Sequence, residues 1–393
     1  MLRIISLISS SIFIFLIRLL PLKNRIIITS TGNVSYNFNS SPLFEFLKEK
    51  KILNWEVAYV INNPKKNKKL NKNLPEHTKF INTNNFIDFL YAARSKIWVS
   101  SSLNTPLTSF IYDKRRIVLH LGHGVPLKKI GLAEKNITCL KWLNRVILTK
   151  AFTDIICYSD FFEPIFEDTF NNKNIRFHYL GQPRNDFLNH NVDAEKERNE
   201  LISEFTANNS PRKVLLYAPT WRPYTETIIF PFLSNTDLQT FLKEKNIVIF
   251  VRSHPFYPAK LNDDIQYSEN IIDLDAKKLP DINKKLCAFD ALITDYSSIY
   301  FDFLCLKKPI YFIPYDLEEY HKKVGFNFNY ELFTPGDKIN NCDDFFKALT
   351  IDEDKYSIQR DNILTLTNTK ASGNCNEIYD LLYKMAISMD NRY

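Results

Sequence analysis

Short apolar runs alternate with helix-forming segments along most of this chain, and that alternation limits its fold more than any other feature. Runs such as Ile26-Ile-Ile-Thr29, Ile97-Trp-Val-Ser100 and Lys213-Val-Leu-Leu-Tyr217 are too short for helices and rich in β-branched or aromatic residues. Helical patterns such as Pro42 to Lys51 and Phe86 to Ser95 lie between them. This order is that of βαβ units, which cover both faces of a parallel sheet with helices. Strands are expected at Ile26 to Thr29, Glu56 to Ile61, Ile97 to Ser100, Ile117 to Leu121, Asp154 to Tyr158 and Arg176 to Leu180. The polar stretch 191–212 reads as a helix and a loop, and a second series follows at Lys213 to Tyr217, Ile247 to Arg252, Ala291 to Thr294 and Pro309 to Ile313.

A chain of 393 residues exceeds the size at which one core keeps growing. Two doubly wound α/β domains are therefore expected, over 25–195 and 196–365, with a hydrophobic segment at 1–24 and a helical segment at 366–393. Such sheets bind ligands beyond the carboxyl ends of their strands, so the chemistry belongs in the cleft where two of these edges meet.

Only 8 glycines are present, and neither a G-x-G-x-x-G fingerprint nor a G-x-x-x-x-G-K-[ST] loop occurs. Dehydrogenase and P-loop readings are set aside accordingly. The six cysteines are scattered without a C-x-x-C pair, which favours reduced, buried thiols. The net charge of +7 is concentrated at Lys65, Lys66, Lys68, Lys69 and Lys72 and at Lys114, Arg115 and Arg116. These runs read as solvated loops or as contacts to anionic lipid. They lack interleaved aromatics, which argues against nucleic acid. Ile4 to Leu20 is almost wholly apolar or Ser with basic flanks, and Arg18 inside it makes it short for a span. A membrane-surface or marginal anchor helix is the expected role, ahead of a packed N-terminal helix.

Five polar clusters follow the predicted strands. In Ile293-Thr-Asp295-Tyr-Ser297-Ser298-Ile-Tyr-Phe-Asp302, a buried strand runs into a helix whose first turn carries two hydroxyls. Unpaired N–H groups and the helix dipole suit that place to an anion. In His120-Leu-Gly122-His123-Gly124-Val-Pro126-Leu-Lys128-Lys129, glycines on both sides leave His123 accessible beside two lysines, whereas His120 reads as structural. Gly181-Gln-Pro183-Arg184-Asn185-Asp186 and Ala218-Pro219-Thr220-Trp221-Arg222 each set an arginine beside a turn. Such an arginine serves either a forked phosphate contact or a local ion pair, for example Arg184 with Asp186. In Val251-Arg252-Ser253-His254-Pro255, alternation along the strand sends Arg252 and His254 to opposite faces unless Pro255 bends the chain, so His254 is the expected phosphate contact. Asp273 and Asp275 form the kind of pair that can hold a divalent metal but sit among lysines, and no His/Cys/carboxylate spacing suggests zinc, so no protein-bound metal or cofactor is expected beyond a divalent ion that accompanies a bound diphosphate.

Taken in order, H-G-V-P-L-K-K-I-G, G-Q-P-R-N-D, Y-A-P-T-W-R, R-S-H-P, I-T-D-Y-S-S-I-Y-F-D-F and Pro309-Ile-Tyr-Phe-Ile-Pro-Tyr315-Asp316 resemble the CDP-glycerol glycerophosphotransferase family over residues 25 to 365. That family makes teichoic acids and related glycerol-phosphate polymers of bacterial surfaces. The resemblance implies a GT-B fold, two Rossmann-like domains facing a central cleft, with CDP held by the C-terminal one. It also implies peripheral attachment to the cytoplasmic face of the bacterial membrane, a CDP-glycerol or related CDP-alditol donor, and a lipid-linked or polymeric glycan acceptor.

His123 matches the family's base, and His254 is placed at the leaving phosphate. Gly124, Lys128, Arg184, Asn185, Thr220, Arg222, Arg252, Asp295, Ser297, Ser298 and Asp302 make up the expected substrate-binding set, with Asp295 as a cap or serine orienter. Gly122, Val125 and Gln182 depart from the family pattern, in which a tryptophan, a threonine and an aromatic are usual. Ribitol phosphate transfer, an ordinary nucleotide-sugar glycosyltransferase and a non-catalytic glycan-binding protein are the alternatives. Primer and polymerase activity are not separated by the sequence.

Overall fold

In a computed structural model, residues 2–188, 192–207, 210–254, 259–262, 265–351 and 353–391 are described. Seven strands form the first sheet: β1 (Lys23–Thr29), β2 (Glu56–Val60), β3 (Thr78–Ile81), β4 (Ser95–Ser100), β5 (Ile117–His120), β6 (Asp154–Ile156) and β7 (Arg176–His178). They are parallel and ordered β3-β2-β1-β4-β5-β6-β7, with Ile27 of β1 level with Ala58 on one side and Trp98 on the other. All three residues are fully or almost fully buried, as expected of strands covered on both faces.

The second half adds β8 (Lys213–Ala218), β9 (Ile228–Ile229), β10 (Ile247–Val251), β11 (Lys260–Leu261), β12 (Ile271–Asp273), β13 (Ala291–Thr294), β14 (Ile310–Phe312) and β15 (Asp337–Lys338). Six of these form a sheet ordered β12-β10-β8-β13-β14-β15, while β9 and β11 make a small separate pair. Strand order reverses between β1 and β4 in the first sheet and between β8 and β13 in the second. These are the switch points at which doubly wound sheets open a crevice, and the chain has the expected GT-B-like arrangement of two Rossmann-like sheets.

Several predicted strands end one or two residues early, because the chain turns as soon as its polar cluster begins: β6 stops before Tyr158, β7 before Leu180 and β10 before Arg252. β3, β9, β11, β12 and β15 have no counterpart in the expected strands. Each is only two to four residues long, too short to show an alternation. The lysine run expected as a loop is a short helix. Among α1 (Leu2–Ile17), α2 (Ser40–Glu49), α3 (Pro64–Leu70), α4 (Phe86–Ala93) and α5 (Cys139–Thr149), it is α3 that carries the lysines. Pro64 stands in its first turn and the Asn63 side chain accepts the Lys66 N–H at 3.0 Å, so local capping overrides charge repulsion.

α1 docks by one face. Ile14 is buried, the Ser10 hydroxyl donates to the Thr108 carbonyl at 3.0 Å, the Phe110 N–H donates to the Ser11 hydroxyl at 2.9 Å, and Phe13 meets Phe86 and Phe89. The other face leaves Ile12, Phe15 and Leu16 exposed, as is Leu19 just beyond the helix. Among the described residues, no helix is long and apolar enough to cross a membrane. The C-terminal helix Asn374–Asp390 returns to the first domain, where Asp390 accepts from Trp55 Nε1 at 3.2 Å and Lys96 Nζ at 2.8 Å. Of the cysteines, Cys139 is exposed on α5, contrary to the expectation of burial, and Cys342 is half-buried.

Candidate active site

The His123 loop leaves the end of β5 and crosses to the second domain. Lys129 N–H donates to the Gly325 carbonyl at 3.1 Å, Asn327 N–H donates to the Leu127 carbonyl at 2.9 Å, and the Asn327 amide spans the carbonyls of Pro126 and Lys128 at 2.7 and 2.9 Å. The loop is thereby stitched to both walls of the cleft. Its glycines are required by space. Gly122 has φ +70°, and a Cβ there would lie 1.9 Å from the Tyr158 hydroxyl. The usual tryptophan is thus absent where Tyr158, from beyond β6, fills the position. Gly124 has φ +138°, and its Cβ would fall 2.8 Å from Ser298 Oγ and 3.0 Å from Arg184 Nη2. The backbone of the His123 loop therefore touches the Ser297-Ser298 turn of the opposite domain.

His123 is open to solvent, with the Phe38 ring beside it. Its Nδ1 lies 3.1 Å from the Ser101 carbonyl, so Nδ1 carries the proton and Nε2 offers its lone pair. Desolvation by the cleft walls lowers its pKa to about 4, with Arg184, Lys128 and Arg145 adding to the shift and the Ser101 carbonyl opposing it. The ring is neutral at neutral pH, as a base must be. His120, by contrast, is buried between Phe152 and Phe170 and its Nδ1 accepts the Gly122 N–H at 3.1 Å. It is structural, as the sequence suggested.

Lys128 extends into the same cleft. Burial lowers its pKa to about 8, while Asp295 opposes and Arg222 reinforces that shift. Its charge in turn lowers the pKa of both His123 and His254, after the larger effect of desolvation in each case. One ammonium from the first domain is therefore felt on both sides of the cleft. His254 is exposed at the cleft edge, its ring 6.4 Å from that of Trp221. Pro255, on which a bend would depend, lies outside the described residues. Ser297 and Ser298 are half-buried at the start of the helix Ile299–Leu304, and the Ser298 hydroxyl makes no cap bond to it.

Other expected contacts turn inward. Arg222 is fully buried: it donates from Nη1 to Asp295 Oδ2 at 2.5 Å, from Nε and Nη2 to Asp316 at 3.0 and 2.7 Å, and from Nη1 to the Thr220 carbonyl at 2.5 Å. Asp295 also accepts the N–H groups of Thr220 and Tyr296 at 2.8 and 2.6 Å, so it orients neither serine hydroxyl. A charge so far from water persists only when paired, and here two carboxylates pair it. Thr220 is buried beside this network. Arg252 gives its Nη1 to the carbonyls of Leu274 and Leu279 at 3.0 and 2.6 Å and braces that loop.

Arg184 does not pair with Asp186. It bonds Asp302 across the domains at 2.6 Å and donates Nη1 to the His123 carbonyl at 2.8 Å, while Asp186 caps the C-terminal helix through the N–H groups of Asn374 and Cys375. Asp302 is buried, and desolvation raises its pKa despite Arg184. Asn185 is buried with its amide 4.0 Å from Cys305 Sγ. Asp273 pairs with Lys278, and Asp275 caps the turn at Lys277 and Lys278. The cleft thus gathers His123, Gly124, Lys128, His254, Ser297 and Ser298. Arg222, Asp295, Arg252, Arg184 and Asp302 hold its frame.

Sequence reasoning passed over Phe38 and Asn39 at the start of α2 and Ser101 and Tyr158 beyond β4 and β6, which support the His123 loop. It also passed over α5, whose exposed Leu140, Trp142 and Leu143 stand on an amphipathic helix that periodicity could have revealed.

The family model described as CDP-Glycerol:Poly(glycerophosphate) glycerophosphotransferase matches residues 12–383. A teichoic acid glycerol-phosphate transferase of Staphylococcus aureus is 30% identical over 350 residues, covering 85% of this chain and 85% of that protein. A teichoic acid poly(glycerol phosphate) polymerase of Bacillus spizizenii is 29% identical over 355 residues, covering 86% of each. Among solved structures, the wall teichoic acid polymerase TagF superposes with a TM-score of 0.77 at 23% identity over 98% of this chain and 96% of that one, a likeness of fold. With its motifs in order and the model matched over nearly its whole length, this chain belongs to the CDP-glycerol:poly(glycerophosphate) glycerophosphotransferase family.

Proposed function

We propose that this protein transfers glycerol phosphate from CDP-glycerol to a hydroxyl of a lipid-linked or polymeric glycan, releasing CMP. The observation that carries the reading is the two-sided cleft: His123, with Nε2 open, stands on one wall, and the Ser297-Ser298 turn stands on the other, in contact through Gly124. His123 Nε2 takes the proton of the acceptor hydroxyl as its oxygen attacks the glycerol-bearing phosphorus. The bond from that phosphorus to the bridging oxygen breaks, and the electron pair leaves with CMP. Lys128, His254 and the hydroxyls of Ser297 and Ser298 offset the charge that develops on the diphosphate. A bound anion would also raise the His123 pKa from about 4 toward neutrality, giving the base enough basicity when the donor is present.

Attachment to the cytoplasmic face of the membrane belongs to the same reading. The exposed apolar residues of α1 and of α5 are joined through the 108–115 loop, where Tyr112 Oη donates to the Ile147 carbonyl at 2.5 Å and Arg115 Nη2 to the Arg18 carbonyl at 2.7 Å. Exposed Arg18, Lys23 and Lys141 flank them, which suits an anionic bilayer surface.

The test is CMP release from CDP-glycerol and from CDP-ribitol with a lipid-linked glycerol-phosphate acceptor. Release from CDP-glycerol, abolished in His123→Ala while CDP affinity persists, is the expected result. Preference for CDP-ribitol would change the donor, and release from neither would overturn the reading.

A further inference from the structure

The strand side of the His123 loop is held in part by side chains from a segment that carries no recognisable motif. The carboxamide of Asn39 donates from Nδ2 to the Leu121 and Gly122 carbonyls at 3.2 and 2.9 Å, and its Oδ1 accepts the Arg184 N–H at 3.2 Å. Asn39 is fully buried at the start of α2, where an asparagine ordinarily caps the helix. Its side chain makes no cap bond, so its hydrogen-bonding capacity goes to the two loops instead. The residue before it, Phe38, has φ +54°, a left-handed conformation that a bulky side chain seldom adopts, and its ring centre lies 5.4 Å from that of His123. Two residues on from Phe38, Ser40 Oγ lies 2.6 Å from Ser101 Oγ, and the Ser101 carbonyl faces His123 Nδ1.

We infer that Asn39 is a positioning residue for phosphoryl transfer, holding the His123 loop and the Arg184 loop in register through one buried carboxamide. The inference rests on His123 as the base. Through Arg184, which reaches both the His123 carbonyl and Asp302, the same amide links the loop to the opposite domain. Loss of its two donor bonds frees the backbone on the strand side of His123. A displacement of about 1 Å at a reacting group costs on the order of 100-fold in rate.

Asn39→Ala and Asn39→Asp, made in the full chain, test this. The aspartate keeps the acceptor for the Arg184 N–H but places a carboxylate against two carbonyl oxygens. Its pKa is thereby raised, and in its protonated form it again donates one hydrogen bond. CMP release is measured relative to wild type across about pH 6 to 8, together with unfolding temperature. The groups that act on His123, namely His120, Lys128, Arg145 and Arg184, are common to all three proteins, and the His123 midpoint of each, followed by NMR, separates its own titration from that of residue 39.

Asn39→Ala should lower kcat by about 100-fold with KM for CDP-glycerol changed by less than about threefold, at all pH values. The Asn39→Asp ratio should rise as pH falls. Unchanged kcat per folded molecule in Asn39→Ala, or a flat Asn39→Asp ratio, overturns the inference. Histidine-selective NMR gives a readout independent of turnover: the His123 midpoint should move up in Asn39→Ala as water reaches the loosened ring. An unmoved midpoint overturns the positioning role even if the donor proves to be another molecule, whereas absent CMP release with a moved midpoint overturns only the proposed reaction.

Discussion

Replacing Arg222 by methionine decides whether this arginine is a strut of the C-terminal domain or a donor contact. The substitution keeps most of the side-chain volume and removes every donor. Asp295 and Asp316, 2% and 11% exposed, are then left without their cation. Asp295 retains the N–H groups of Thr220 and Tyr296, and Asp316 retains the hydroxyls of Tyr224 and Tyr296 at 2.7 and 2.9 Å, so neither is wholly abandoned. Breaking a buried pair from one side costs about 3–5 kcal/mol. At about 2–4 °C per kcal/mol for a domain of this size, Tm should fall by roughly 6–20 °C.

The pH dependence of stability has a fixed sign. Burial acts against the Asp316 carboxylate, but Arg222, Tyr224 and Tyr296 outweigh it and hold its pKa below the ordinary range. Its contribution is present above the unfolded value near 4 and is lost as pH falls through the lower folded value. Arg222→Met should therefore unfold at higher pH in an acid titration. Adding Asp316→Asn removes one stranded charge, so the double variant should be less destabilised than the sum of the singles by about 1–3 kcal/mol. Thermal unfolding and CDP titration well below Tm are the assays. A Tm within about 2 °C of wild type together with CDP binding weakened tenfold or more would refute the strut and restore Arg222 to the donor site.

Changing Ser297 and Ser298 together to Ala should weaken CDP binding about tenfold or more by calorimetry, since hydrogen bonds to charged groups contribute about 1.5–3 kcal/mol each. Unaltered affinity would reduce the pair to a helix start. Gly124→Ala should reduce CMP release more than it reduces Tm, because its methyl would press on Ser298 Oγ and Arg184 Nη2 at the domain contact. Asp154, buried and bonded to His178 and Arg176 at 2.7 Å each, has its pKa lowered by those partners against the opposing effect of burial. Asp154→Asn should cost about 2 kcal/mol at neutral pH, and its stability should converge with wild type in acid below the folded pKa, as followed by urea unfolding. Replacing exposed Phe15 and Leu16 of α1, or Leu140, Trp142 and Leu143 of α5, by serine should lower sedimentation with anionic vesicles several-fold without changing Tm by more than a few degrees.

Much of the architecture was written in local pattern. Ala291 to Thr294 is a strand over the predicted residues, and ten predicted strands lie in the two large sheets, because burial on both faces demands continuous apolar runs. The short β3, β9, β11, β12 and β15 were not legible, since two to four residues carry too little periodicity. The His123 loop was legible from its flanking glycines. Asn39, by contrast, looks in sequence like an ordinary helix cap, and only the folded chain turns its amide onto residues 121, 122 and 184.

The sequence by itself determined two doubly wound domains, the family, and the six motifs that supply the cleft and its frame. It could not divide the charged residues in those motifs between ligand and frame. An arginine beside a turn has the same local signature whether it meets a phosphate or a carboxylate. Arg222 and Arg184 became structural only when residues 73 and 118 positions away in sequence, Asp295 and Asp302, came within hydrogen-bond distance of them. Once burial had removed water, pairing was the only low-energy state for those charges, and packing decided which of them remained in the cleft.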